Sequence, residues 1–271
     1  MRERSSKAKD QRLRFDPWIS TFDRKESEIK LSLILIALVA LAVAAEPPSG
    51  ESVLKKLDAN SVADNRIVVA EMVVHARRAE RTMKLKTWIQ GADKSFTEFL
   101  APPRDAGTKM LKLGDELWTY TPATDRSIKI AGHMLRQSLM GSDFSYEDMM
   151  EDRKLEDLYD AEVAGEDTVL DRRCWIVDLT ARDEDVAYAA RRLWVDEERY
   201  IGLKEERYAK SGELLKTSEV KELRHISGRW VATDAVFRDA LRQGSGTEFA
   251  IDSIEFDARI PDYIFSKAAL R

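Results

Sequence analysis

The chain has 271 residues, with 44 Lys and Arg against 49 Asp and Glu, a formal net charge of −5 and one cysteine, Cys174. No Lys/Arg-rich stripe with interleaved aromatics stands out, which argues against nucleic acid as a partner, and the acidic balance argues against an electrostatic grip on anionic lipid headgroups. A single cysteine excludes an internal disulfide, and Cys174 lies far from the position a lipid-modified cysteine would take at the start of a mature chain.

In chain order, the first strong signal is the uncharged run Leu31 to Ala45, LSLILIALVALAVAA, preceded by Lys30 and ending in Ala42-Val43-Ala44. A basic residue, an apolar stretch and an A-x-A pattern are the layout of a secretory signal peptide. The run has 15 residues, fewer than the roughly 20 a bilayer-spanning helix needs. Cleavage is therefore the expectation, with retention as an anchor the alternative. Residues 1–30 carry nine Lys or Arg and six Asp or Glu without hydrophobic periodicity. They read equally as a real extension and as a misassigned start. The remainder, residues 46–271, has a net charge of −8 and is long enough for one large all-β domain. It is expected to work outside the cytoplasm.

Ser49–Ala59 reads as a helix, with Ser49 as N-cap and Val53, Leu54 and Leu57 on one stripe. Strand patterns follow at Arg66–Ala76, where Val68, Ala70, Met72 and Val74 share a parity, and at Arg81–Gln90, where Met83, Leu85, Thr87 and Ile89 do. Gly91-Ala92-Asp93 is a turn into Ser95–Leu100. Thr108–Leu113 and Glu116–Thr121 are joined by Gly114-Asp115, a two-residue hairpin signal in which glycine supplies a positive φ. Ser127–Ile130 follows. Met134–Met140 and Ser145–Leu158 then read as helices, the second opening on the capping-box-like Ser145-Tyr146-Glu147-Asp148, with Asp148, Glu151 and Asp152 on its solvated face. Strands resume at Leu158–Val163, Cys174–Ala181, Ala187–Asp196, Gly202–Ala209, Leu214–Leu223, Arg229–Arg238 and Thr247–Phe256, before Pro261 and a short C-terminal helix.

About a dozen sequential antiparallel strands with few helices exclude a parallel α/β fold. The expected fold class is mainly β: a curved antiparallel sheet that must curl or close, with helices covering the concave face.

The search for catalytic machinery yields little. His75, His133 and His225 fall in different elements without a metal-ligand spacing. No Gly-rich phosphate cradle appears, so any energy input would come from another protein. Gly141-Ser142-Asp143 lacks the second glycine of a nucleophile elbow. Cys174 reads as a small core residue. No catalytic residue, metal ligand or cofactor is assigned.

The chain's most specific segments are Gly107-Thr108-Lys109-Met110-Leu111, Leu117-Trp118-Thr119-Tyr120-Thr121-Pro122, Arg126-Ser127-Ile128-Lys129-Ile130 and Gly141-Ser142-Asp143-Phe144-Ser145-Tyr146-Glu147-Asp148. With Leu193-Trp194-Val195-Asp196, Tyr208-Ala209-Lys210-Ser211-Gly212 and Phe265-Ser266, they resemble the outer-membrane lipoprotein-sorting protein family, related in fold to the LolA and LolB lipoprotein carriers. The resemblance implies an unclosed β-barrel with a helical lid over a hydrophobic cavity, working in the periplasm. The expected function is a non-enzymatic carrier that binds lipoprotein acyl chains or another lipid and moves it toward the outer membrane. Its partners would be an inner-membrane exporter and an outer-membrane acceptor, and the chain a monomer. A lipid- or lipoprotein-sensing or exporter-associated interaction domain and, after it, an unrecognised hydrolase are the alternatives. Strand parity and helix stripes nominate the cavity lining as Met83, Leu85, Ile89, Trp118, Tyr120, Ile128, Ile130, Met134, Leu135, Leu139, Met140 and Phe144.

Overall fold

Two antiparallel meanders share one sheet, and the place where they meet determines what the rest of the chain must do. The computed structural model describes residues 47–61, 65–76, 79–151, 153–184 and 186–271. The basic extension and the signal-type run, residues 1–45, lie outside the described residues. The first meander comprises β1 (Asn65–Ala76), β2 (Ala79–Gln90), β3 (Lys94–Ala101), β4 (Lys109–Leu113), β5 (Glu116–Thr121) and β6 (Arg126–Ile130). The second comprises β7 (Tyr159–Val169), β8 (Arg172–Ala181), β9 (Ala190–Asp196), β10 (Gly202–Tyr208), β11 (Leu214–Ile226), β12 (Arg229–Asp239) and β13 (Gly244–Phe256).

β1 pairs antiparallel with β13, for example Met72 opposite Phe249, which fuses the meanders into one sheet in the order β6-β5-β4-β3-β2-β1-β13-β12-β11-β10-β9-β8-β7. The sheet does not close, because β6 and β7 are its two edges. They are also consecutive in the chain, so residues 131–158 must travel from one edge to the other. They cross over the concave face as a strap.

Direct cross-strand partners share a face of the sheet, so the register defines two surfaces. On the concave one, Val68, Ala70, Met72, Val74, Met83, Leu85, Phe99, Met110, Leu117 and Ile130 form a buried cluster. At the other end of the same face, Val177, Leu179, Leu193, Val195 and Tyr159 are covered by α1 (Gly50–Ser61) through Val53, Leu54 and Leu57. The predicted apolar stripe of this helix is therefore its buried face. Gly50 allows α1 to start against β7, since a Cβ there would lie 2.3 Å from the carbonyl oxygen of Ala161. Asp58, buried at the far end of α1, accepts a hydrogen bond from the Glu156 amide at 2.8 Å and ties the helix to the end of the strap.

The convex face has its own cluster, where Phe96, Leu111, Trp88 and Ile67 meet the C-terminal residues Ala258, Ile260, Phe265 and Leu270. The expected C-terminal helix is two short 3-10 turns, Asp262–Phe265 and Lys267–Leu270. Cys174 is a buried, unpaired thiol beside Trp194, Leu203 and Val220.

The strap corrects the sequence reading. Met134–Met140 and Ser145–Leu158 are not continuous helices. Gly132–Arg136, Leu139–Gly141 and Asp148–Met150 are 3-10 turns, and only α2 (Leu155–Leu158) is α-helical. Backbone pairing explains why: the Leu139 amide donates to the Phe144 carbonyl at 2.7 Å, the Tyr146 amide to Gln137 at 3.1 Å and the Glu147 amide to Leu135 at 2.8 Å. These cross-links fold residues 135–147 back on themselves and occupy groups a helix would use.

Candidate functional site

The strap has an apolar underside and a polar fastening. Leu139 is fully part of the concave cluster, and Met134, Leu135, Met140, Phe144, Tyr146, Met149 and Met150 pack half-buried against it. Phe144 is the pivot of this contact, with its ring centroid 4.3 Å from that of Phe237 and 6.2 Å from that of Phe249. Unbranched methionine side chains fill an irregular space at little steric cost. The interior of the half-barrel is thus occupied by the chain's own side chains.

The tip of the strap, where Met140 and Gly141 take φ of 50° and 78°, is held by β12, β13 and the turn between them. Arg242 donates to the Gly141 carbonyl at 2.9 Å, to Ser138 Oγ at 3.0 Å and to the Ser142 carbonyl. Asp143 accepts from Thr247 Oγ1 at 2.6 Å and from the Asp239 amide at 3.0 Å, while its own amide donates to Thr247 Oγ1 at 2.9 Å.

Beyond the tip lies a buried ionic cluster. Asp148 accepts from Lys216 Nζ at 2.5 Å, Tyr188 Oη at 2.6 Å and Arg207 Nη1 at 3.0 Å. The Ser145 amide and hydroxyl add bonds at 2.7 and 2.8 Å, and Ser145 Oγ in turn accepts from the Asp148 amide at 3.2 Å. The capping box expected at Ser145 is therefore present, wrapped around a single turn. Glu151 pairs with Arg191 and lies 3.7 Å from Arg207. From the sheet itself, Glu205 bridges Arg191 at 3.0 Å and Arg207 at 2.8 Å. Arg191 also donates to Tyr159 Oη at 2.9 Å and stacks on the rings of Tyr159 and Tyr188.

This arrangement overturns the expectation that Asp148 and Glu151 face solvent. Their side chains are only 5% and 16% exposed, because the strap turns them onto the sheet. Asp152 lies outside the described residues. The charges are fixed around neutral pH. Burial pushes the Asp148 carboxyl up, but Lys216 and Arg207 outweigh it and hold the group at about 2. Burial draws Arg191 down to about 10, and pushes Tyr159, with help from Glu205, up to about 12. Glu205 stays below the usual carboxylate range because Arg207 and Arg191 overcome its burial. None of these groups is poised to exchange a proton near pH 7.

Of the nominated lining residues, Met83, Leu85, Ile130 and Leu139 are buried in the concave cluster, and Met134, Leu135, Met140 and Phe144 pack onto it. Ile89 shares the parity of Met83 and Leu85 and is half-buried at the end of β2. Ile128 lies opposite Thr119 on the concave side but is 45% exposed. Trp118 and Tyr120 go elsewhere: they pack in the convex cluster beneath the C-terminal segment, and the concave side of β5 is supplied by Leu117 and Thr119. Sequence reasoning missed the charged residues. The available signal was that Arg191 shares the parity of Leu193 and Val195, an inward-facing row.

A family model described as "Uncharacterized protein" matches residues 91–271. No curated protein is similar enough to count as a relative. Among solved structures, a DUF1329 family protein from Desulfovibrio piger superposes with a TM-score of 0.75 at 24% identity, covering 82% of this chain and 98% of its own. A protein domain from Vibrio parahaemolyticus described as outer membrane lipoprotein-sorting gives 0.71 at 24% identity, with 82% and 97% covered. A LolA superfamily protein from Nitrosomonas europaea gives 0.69 at 24% identity, with 82% and 100% covered. At this identity the likeness establishes the fold.

Proposed function

The chain belongs to the family whose model matches residues 91–271 and has the fold of the LolA superfamily and outer membrane lipoprotein-sorting domains, and we propose that it is a non-enzymatic periplasmic lipid carrier. One observation carries this reading. An unclosed sheet presents an apolar concavity, and what fills it is a strap of irregular backbone and adaptable side chains. Acyl chains are the same kind of material as that filling. Each methylene transferred from water to such a surface contributes about 0.8 kcal/mol, so lipid can displace the strap without leaving the sheet exposed.

The strap is suited to release as well as to capture. Its 3-10 turns offer few of the cooperative backbone bonds that make a long helix rigid, and its polar fastenings are separate from its apolar contacts. The cargo would be lipoprotein acyl chains or another lipid, received from an inner-membrane exporter and delivered toward an outer-membrane acceptor, with the chain acting as a monomer. Mature protein titrated with a fluorescent fatty acid should show saturable binding of about micromolar strength, ~8 kcal/mol, reversed by unlabelled lipid. A folded protein that binds no acylated ligand would overturn the reading.

A further inference from the structure

The ionic cluster and the apolar filling belong to the same moving part, and their charges do not balance when that part leaves. The sheet contributes Arg191, Arg207 and Lys216 against one carboxylate, Glu205, whereas Asp148 and Glu151 come from the strap. Nearby Asp143 and Asp239 are committed, to Thr247 and the Asp239 amide in one case and to the Leu241 amide in the other. Lifting the strap therefore strips two carboxylates from a group of three cations. The side chains of Arg191, Arg207 and Lys216 are 3%, 17% and 15% exposed, and buried cations without counter-charge are strongly disfavoured. The same lift uncovers the apolar cluster, because Phe144 and Met149 leave it together with Asp148.

We infer that the ligand is an anionic amphiphile. Its phosphate-type headgroup replaces Asp148 and Glu151 among Arg191, Arg207 and Lys216, and its acyl chains replace the strap's apolar side chains. The match is one of chemistry. Two arginines offer planar, bidentate donors suited to phosphate oxygens, and a lysine adds a compact positive charge. A dianionic headgroup restores the two charges the strap removes. The chain's overall acidity repels anionic membrane surfaces, but these cations are gathered inside the fold, where a lipid already lifted from the bilayer would meet them. The inference rests on the carrier reading and specifies the class of its cargo.

Four probes separate the possibilities when offered to the mature protein: dioleoyl phosphatidic acid, dioleoyl phosphatidylcholine, dioleoylglycerol and inorganic phosphate. Phosphatidic acid should bind about tenfold more tightly than the two lipids without net charge, with inorganic phosphate weaker than any of them. Lys216→Gln should lower the ratio of phosphatidic acid to dioleoylglycerol affinity, the ratio cancelling any effect of a loosened strap common to both lipids. Should that variant not fold, the headgroup series on the unaltered protein decides alone. Equal binding of all three lipids overturns this inference and leaves the carrier reading standing. Inorganic phosphate binding as tightly as phosphatidic acid overturns the lipid as the source of the anion. If none of the lipids binds, both readings fall.

Discussion

Asp148 Oδ2 lies 2.5 Å from Lys216 Nζ, joining the strap to β11 across 68 positions of sequence. This contact makes the strap sensitive to acid. The Asp148 carboxyl sits at about 2 in the closed protein against an ordinary value of 3.8. A depressed carboxylate stabilises the closed state above its ordinary pKa, and the contribution is lost as pH falls from about 4 through 2. The size of the shift corresponds to about 2 kcal/mol. Lipid uptake measured by stopped-flow fluorescence should be flat between pH 8 and pH 5 as far as Asp148 governs it, then accelerate below about pH 4. Asp148→Asn should take up lipid faster at neutral pH and show little of this acceleration. An unchanged acid limb in that variant would assign the effect to other groups.

Ser145 has a structural share in the same contact. Its hydroxyl holds Asp148 Oδ2 at 2.8 Å and accepts from the Asp148 amide, so the loss resembles removal of an N-cap. Ser145→Ala should cost about 1 kcal/mol of stability in urea unfolding, with an unchanged denaturant slope. A cost near zero would mean that the strap's sheet contacts alone position Asp148.

The strands were legible because each carries its own period. Alternation in Arg81–Gln90 and Glu116–Thr121, and the Gly114-Asp115 connection, locate β2, β4 and β5 to within a few residues. Which face of β5 is concave was not legible. Both parities are apolar enough to be buried, and the larger pair, Trp118 and Tyr120, is buried only because residues 258–270 return to cover the convex side. That cover comes from more than 130 positions away, and no local pattern announces it. The strap failed for a related reason. Its apolar residues and its capping box satisfy a helical template, but Phe237, Lys216 and Arg191 on distant strands hold them in another shape.

The two faces of β5 yield a paired test. Trp118→Ala should lower stability, since the indole packs in the convex cluster and lies beneath Lys267 at 4.0 Å, but lipid affinity should stay within about twofold, a difference under 0.5 kcal/mol. Met140→Ala, on the strap's underside, should alter affinity more than stability. Titration and unfolding on both variants check this, and a large affinity loss in Trp118→Ala would move the ligand to the convex side.

Processing is testable on material from the cell envelope. The Lys30 flank, the Leu31–Ala45 run and the A-x-A pattern lead to a mature chain beginning near Ala45 or Glu46, recovered in the periplasmic fraction. N-terminal sequencing reads this directly. Met1 retained in a membrane fraction would make the chain an anchored protein and restrict how far it carries a ligand.

Phe144 separates a lid from a scaffold. Its ring bridges Phe237 and Phe249, and its neighbours Asp143 and Ser145 carry the polar fastenings, so the side chain ought to set how readily the strap lifts. Truncating a fully buried phenylalanine costs about 3–5 kcal/mol, and a half-buried one less. If the strap opens as a local unit, Phe144→Ala lowers the opening barrier directly, while global unfolding still requires the sheet to come apart. The expected outcome is lipid uptake accelerated more than unfolding, with both rates measured on the same variant. If the two rates change in proportion, residues 141–148 belong to the scaffold, and ligand exchange must begin elsewhere on the half-barrel.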